Sequence, residues 1–267
     1  MNYLFIDAHI HLDKYTTRDR EIILSDREKD HGDQLISVSN NLASSKQNLS
    51  FSKKYKGVVH AAFGYHPEQA LPSDLELEFL LTFMEKHQGE MVALGEVGLP
   101  YYLRQENPTI QLEGYIELLE GFIIKAKDFQ KPIVLHAVYE DASMVCELLE
   151  KHSIEKAHFH WFKGDVKTVE RMLKNGYYIS VTPDVVYKEK IQRLVDLYPL
   201  SNMMVETDGP WPFEGPFKNK MTHPNMIHQS ISKIAEIKKI DALDVYQQLY
   251  ENTQRFYSLE KDREDVK

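Results

Sequence analysis

The sequence predicts one domain of the α/β class, a closed parallel (β/α)8 barrel, and three observations carry the prediction. Short apolar runs alternate with longer amphipathic ones along the whole chain, which demands a parallel sheet with right-handed helical crossovers. The short runs number eight with no obvious edge strand, so closure into a barrel is favoured over an open, doubly wound sheet. The 267 residues contain no Pro/Gly/Ser-rich linker, and barrels of about 250 residues form a single unit.

Taken in order, strands are expected at 3–7, 34–39, 58–65, 91–97, 132–137, 157–161, 177–181 and 203–207, each a short apolar run. Helical spacing is expected at 41–55, 73–87, 109–129, 141–152, 165–175 and 188–197, with 225–238 and 242–257 closing the chain. The clearest helix places Ile110, Tyr115, Leu118, Leu119, Phe122, Ala126 and Phe129 along one face. Asp165 ahead of Val166, and Ser73 followed by Glu76, read as helix caps. The apolar stripes themselves read as core. The barrel is assigned to residues 1–259, and the charged tail 260–267 is read as frayed and solvated.

A composition of 42% hydrophobic and 27% charged residues belongs to a globular chain able to bury a sizeable core. The net charge of −9 disfavours a protein that coats long duplex nucleic acid, whose affinity comes largely from neutralising phosphates, while leaving room for local basic patches. The single cysteine, Cys146, rules out a disulfide within the chain and sits in an apolar helical pattern as a structural thiol. A strand pattern begins almost at once, with no basic leader and no long apolar segment, so neither a secretory signal nor a membrane span is expected. A cytoplasmic monomer with no obligate protein partner is the default expectation.

The chemistry-bearing residues fall at strand ends. His9 and His11 follow the first strand, and two side chains one residue apart in an extended chain point the same way, so both imidazoles reach one metal ion. His66 follows the third strand, Glu96 lies within the fourth, His136 and His160 stand at the fifth and sixth, and Asp208 follows the eighth. Any one of these has a bland explanation, such as a core histidine or a surface ion pair. A barrel, however, aims all of them into one mouth at the C-terminal ends of its strands. Four histidines and two carboxylates are about what two divalent cations need while leaving room for water, and Glu96 is placed to offer one oxygen to each. Coordination brings a water's pKa towards ~7, which makes hydroxide available at neutral pH, and Asp208 is the candidate to accept the proton. Glu206 reads as a residue that orients ligands rather than a ligand. His60 and His158 read as core histidines, His31, His87, His152 and His228 carry no signal, and His223 is left open.

These segments resemble, in order and over nearly the whole chain, the successive motifs of the TatD family of metal-dependent deoxyribonucleases. The matching stretches are Ile6-Asp7-Ala8-His9-Ile10-His11, Gly64-Tyr65-His66-Pro67, Leu94-Gly95-Glu96-Val97-Gly98-Leu99 and Ile133-Val134-Leu135-His136. They continue through His160-Trp161-Phe162-Lys163-Gly164, Val205-Glu206-Thr207-Asp208 and Asn252-Thr253-Gln254-Arg255-Phe256. The resemblance implies a TIM barrel with a two-metal centre, in which His9, His11, Glu96 and Asp208 bind one ion and Glu96, His136 and His160 the other. His66 would face the substrate phosphate. It further implies hydrolysis of DNA or RNA, often from the 3′ end, or in some members removal of D-amino acids from tRNA.

The departures concern the substrate side. Where the family usually has Gly-Leu-Asp-Tyr-Tyr this chain has Gly98-Leu99-Pro100-Tyr101-Tyr102, so an acidic group beside the site is expected to be missing. No arginine follows His136, the usual His-Cys-Phe-Ser-Gly reads His160-Trp161-Phe162-Lys163-Gly164, and the late Arg-Asn-x-Pro appears only as Met221-Thr222-His223-Pro224. Lys163, Lys218 and Lys220 are candidate phosphate-binding charges, and Tyr101, Tyr102 and Trp211 candidate stacking surfaces for a terminal base.

Three functions follow for testing. The first is a two-metal phosphodiesterase acting on the end of single-stranded DNA or on a small phosphodiester. The second is a metal-dependent ester, lactone or amide hydrolase, including an aminoacyl-tRNA deacylase, and the third a non-catalytic binding protein. Zinc, manganese, iron or magnesium all suit the ligand types.

Overall fold

The computed structural model describes residues 4–29 and 33–259. Eight parallel strands close into a barrel in sequence order. They are β1 (Ile6–Ile10), β2 (Gln34–Ser37), β3 (Val59–Phe63), β4 (Met91–Gly98), β5 (Ile133–His136), β6 (Ala157–Phe159), β7 (Tyr178–Val181) and β8 (Met203–Val205). Around them run α1 (Thr17–Lys29), α2 (Leu42–Lys54), α3 (Asp74–Lys86), α4 (Tyr101–Glu106), α5 (Glu113–Asp128), α6 (Glu140–Lys151), α7 (Val166–Lys174), α8 (Glu189–Leu197), α9 (Ile227–Lys238) and α10 (Ala242–Tyr257). This is the single-domain TIM barrel that the alternation predicts. All eight expected strands are present, but β1 begins three residues late, so His9 lies inside the strand rather than after it.

Two helices escape the periodicity. Helix α1 carries almost no apolar asymmetry, being mostly charged, and α4 is a six-residue helix directly after β4. The expected 109–129 helix begins only at Glu113. Both predicted caps form: the Asp165 side chain accepts from the Thr168 amide, and Ser73 with Glu76 makes a reciprocal capping box. The expected frayed tail and His31 lie outside the described residues.

Two apolar layers build the core. The larger joins helices to strands, for instance Leu119 and Phe122 of α5 with Leu94, and Ile231 of α9 with Met203. The smaller draws Ile6, Ala8, Ile36, Ala62, Ala93, Val134 and Met204 from six strands and only Phe256 and Tyr257 from a helix, α10. Residues that many strands share without their flanking helices fill the barrel lumen. Two positions beyond Val134 and Met204 on the same inward row stand His136 and Glu206. Cys146 is fully buried in the outer layer, where burial pushes its thiol up to about 12. Among the described residues no helix is long and apolar enough to cross a membrane.

Candidate metal centre

Glu96 on β4 is the hub of the site. Its Oε2 lies 3.2 Å from Nε2 of His9 and 3.2 Å from Nε2 of His11. Its Oε1 lies 3.2 Å from His66 Nε2, 2.9 Å from His136 Nδ1 and 2.7 Å from His160 Nε2. Asp208 Oδ1 approaches His9 and His11 at 3.5 and 3.4 Å, opposite Glu96. The His9 and His160 rings stack at 3.9 Å. All six expected ligand positions are brought together, with His66 as a seventh member on the Oε1 side. The ligating atoms of three overlapping groups, His9/Glu96/His160, His9/His11/Asp208 and His66/Glu96/His136, fall within 4.8 Å of one another.

The cluster is built for cations rather than for itself. His9 Nε2, Glu96 Oε2, His11 Nδ1 and His160 Nδ1 are buried without hydrogen-bond partners. Such orphaned atoms cost about 1–3 kcal/mol each when nothing meets them. Of these, His9 Nε2 and Glu96 Oε2 face each other at 3.2 Å, and a divalent ion between them would meet both. A mixed imidazole and carboxylate donor set fits such an ion.

Electrostatics divides the imidazoles into two classes. Burial alone would raise the Glu96 carboxyl, but the histidines around it outweigh burial and hold it well below the usual carboxylate range. Asp208 is held down in the same way, chiefly through its hydrogen bond with His11. His11 and His136 overcome their own burial through carboxylate partners and sit at about 9. For His9, His66 and His160 burial wins and all three are lowered, His160 to about 4. Without cations the centre therefore balances two carboxylates with two imidazoliums.

Behind the ligands lies a layer of buried polar residues. Glu206 accepts from the Trp161 amide and the Ser180 hydroxyl, each at 2.6 Å, and stands 3.8 Å from His160 Nδ1, outside hydrogen-bond reach. Ser180 in turn meets His158, whose other nitrogen meets Tyr257 at 2.7 Å, so His158 is the core histidine expected. Asp7 accepts from the Thr207 amide and hydroxyl and from the His9 amide. Glu68, two residues after His66, accepts from the Tyr102 and Leu103 amides and meets His136 Nε2 at 3.0 Å. Burial opposes its ionisation, but His136 and those amides hold Glu68 below the usual range. The expectation that Pro100 leaves this corner without a carboxylate is thus corrected: the acid arrives from another loop. Arg104 of α4 pairs with the buried Asp141.

At the mouth, Lys163 Nζ lies 4.0 Å over the Trp161 ring and 3.1 Å from the Tyr102 hydroxyl. Burial lowers its pKa. Trp161 takes φ +36°, a conformation that costs a bulky residue of order 1–3 kcal/mol. It is held there by its amide on Glu206 and by its indole N–H, which donates to Asp184 at 3.0 Å. Tyr102 is the tyrosine whose ring meets His136, at 6.0 Å, while Tyr101 packs against Tyr102 and Tyr139. Trp211 is 59% exposed and edges onto Trp161. Lys218 pairs loosely with Glu214 at 3.6 Å, Lys220 is exposed, and His223 turns to Asp26. His60 bonds Gln34 at 2.8 Å and is only half-buried. The sequence reading missed Glu68, Asp7, Ser180 and Asp184. Asp7 had a signal, since it shares the two-residue period of His9 and His11, and Glu68 stood directly after His66-Pro67; Ser180 and Asp184 had none.

The profile of the family described as "TatD related DNase" matches residues 6–258. An uncharacterized metal-dependent hydrolase of Haemophilus influenzae is 38% identical over 256 residues, covering 96% of this chain and 100% of that protein. The human protein named deoxyribonuclease TATDN3 is 27% identical over 260 residues, covering 94% of each chain. Among solved structures, the Escherichia coli TatD homologue YjjV superposes with a TM-score of 0.84 at 25% identity, covering 97% of this chain and 100% of the other.

Proposed function

The chain belongs to the family of TatD-related DNases and is a metal-dependent hydrolase, and from that premise we propose that it is a two-metal phosphodiesterase that trims single-stranded DNA from the 3′ end. The observation that carries the reading is the division of labour at Glu96, whose two oxygens face two separate sets of imidazoles. His9, His11 and Asp208 would hold one ion with Glu96 Oε2; His136 and His160 would hold the other with Oε1. When bound, the pair of cations supplies Lewis-acid chemistry, making a water acidic enough to act near neutral pH and offsetting charge on phosphoryl oxygens.

The protein's own groups do the rest. Asp208, held ionised beside His11, is the acceptor for the proton of the attacking water. His66 accepts the Glu68 amide on Nδ1 and so carries its proton on Nε2, beside Glu96 Oε1, from where it would offer a hydrogen bond to a phosphoryl oxygen. Lys163 adds a cation next to Tyr102, and Trp211 an exposed face for a terminal base. Glu206 holds the amide of Trp161, the residue after His160.

The test is digestion of a 5′-labelled single-stranded oligonucleotide by stripped protein with magnesium, manganese or zinc restored, with His9→Ala as control. A metal-dependent ladder shortening from the 3′ end, absent in the variant, is expected. Absence of cleavage with every metal, from protein that holds two ions, overturns the phosphodiester reading in favour of a carboxyl ester or amide substrate.

A further inference from the structure

Helix α4 starts without a cap of its own. Pro100 at the N-cap provides no side-chain hydrogen bond, although the first-turn amides of a helix need acceptors. Those acceptors come from Glu68, more than thirty residues upstream: Oε1 takes the Tyr102 amide at 2.9 Å and Oε2 the Leu103 amide at 2.6 Å. The same Oε1 lies 3.0 Å from His136 Nε2. An ionised carboxylate only accepts, so it draws the imidazole proton to Nε2. Nδ1 faces Glu96 Oε1 at 2.9 Å, with His160 Nε2 at 3.3 Å, so once a cation takes the place of the Nδ1 proton Glu68 holds the remaining proton on Nε2.

We propose that Glu68 is a positioning residue for the metal centre, fixing His136 with its proton on Nε2 and Nδ1 bare for a cation, and tying that state to the seating of α4. The inference rests on the two-cation reading of Glu96. One carboxylate then performs two tasks that a chain with a capping side chain at position 100 would separate. The coupling is physical: if α4 lifts away, Tyr102 leaves the His136 ring and Glu68 loses two of the three donors that hold it in place. Ligand orientation and the tyrosine face of the mouth are thereby set together.

A plain capping role makes a different prediction, and a second substitution separates the two. The full chain is prepared as wild type, as Glu68→Ala, as Pro100→Ser, and as the double variant, in which serine supplies a local cap for α4. Melting temperature reports the cap. Zinc affinity by chelator competition reports the two ions, the one on Glu96, His136 and His160 being identified by its loss in His136→Ala. In Glu68→Ala, affinity at that ion is expected to fall about 10–100-fold, with the His9, His11 and Asp208 ion changed less. In the double variant melting temperature should recover while the weakened ion does not. Recovery of both together, equal loss at both ions, or an affinity in Glu68→Ala within about threefold of wild type overturns the inference. Fewer than two ions on the wild type instead overturns the two-cation reading itself, so the two failures are told apart.

Discussion

Replacing Glu96 by Gln tests the proposed two-cation centre at the residue whose two oxygens face both sets of imidazoles. Five imidazole nitrogens stand within 3.2 Å of its two oxygens, so no neighbouring group can substitute for it. A ligand present at 100 times its dissociation constant stabilises the fold by about 2.7 kcal/mol, so two ions contribute about 5 kcal/mol. For a chain of this size each kcal/mol moves the melting temperature by about 2–4 °C, which gives wild type a metal-induced rise of about 10–20 °C. Glutamine keeps the shape but replaces one oxygen with an amide nitrogen that cannot ligate, and the remaining oxygen is a weak, neutral donor. The rise should fall to less than about a third of the wild-type value, and elemental analysis after dialysis should find less than one ion per chain. Cation-free Glu96→Gln should also melt lower than cation-free wild type. Removing one partner from a buried charge pair costs about 3–5 kcal/mol, and here the imidazoliums of His11 and His136 lose a carboxylate. Two ions and an undiminished thermal shift in the variant would refute the bridging role.

Other outcomes follow from the same geometry. His11 and His136 are raised to about 9 from an ordinary 6.5, so in the cation-free chain their ion pairs stabilise fully below about pH 6.5 and are lost as pH rises through 9. Cation binding must displace both protons, so affinity should climb across that window, and calorimetry near neutral pH in buffers of different ionisation enthalpy should detect about two protons released per chain; none released would contradict the assignment. Lys163→Ala should lower kcat/KM on an oligonucleotide about tenfold, mostly through KM, from loss of a charge-assisted hydrogen bond worth about 1.5 kcal/mol; an unchanged KM removes Lys163 from the substrate path. Asp7→Ala removes the acceptor for all three donors and should cost about 1–3 kcal/mol in urea unfolding. Cys146, with its thiol pushed up to about 12, should resist a thiol reagent in the native protein and react once after denaturation.

The clustering of the candidate site residues was legible because they obey periods that sequence displays. His9 and His11 follow the two-residue repeat of an extended chain, and Glu96, His136 and His160 each sit at the end of an apolar run whose alternation with helices dictates the barrel. The helix caps at Ser73 and Asp165 were legible for the same reason, being local. What escaped is what depends on partners far along the chain. Glu68 looks like any loop carboxylate until β3 and β4 bring it over α4, and Ser180 gains meaning only beside Glu206 and His158. Helix α1 escaped for another cause: a mostly charged helix has little periodic apolar signal, and nothing local distinguishes it from a solvated loop.

The seam between β8 and β1 shows why the outer partners matter as much as the ligands. Regular pairing there amounts to one register pair, Asp7 with Val205. Beyond the strands the contact continues through the backbone, with the Asp208 amide donating to His9 at 2.9 Å and the His11 amide to Gly209 at 2.8 Å. Asp7 reinforces it by gathering the His9 amide with both donors of Thr207. From α10, Tyr257 reaches the Ala8 carbonyl at 3.3 Å and Asn252 the Leu200 and Met203 carbonyls. These bonds place His9, His11 and Asp208 side by side by hydrogen bonding alone, before any cation contributes. Chain closure and the gathering of His9, His11 and Asp208 are therefore a single structural event, since the bonds that close the barrel are those that bring these residues together. Glu96, His136 and His160 have no such seam. They stand on β4, β5 and after β6, within continuous sheet, and His136 meets a side-chain partner from another loop, Glu68.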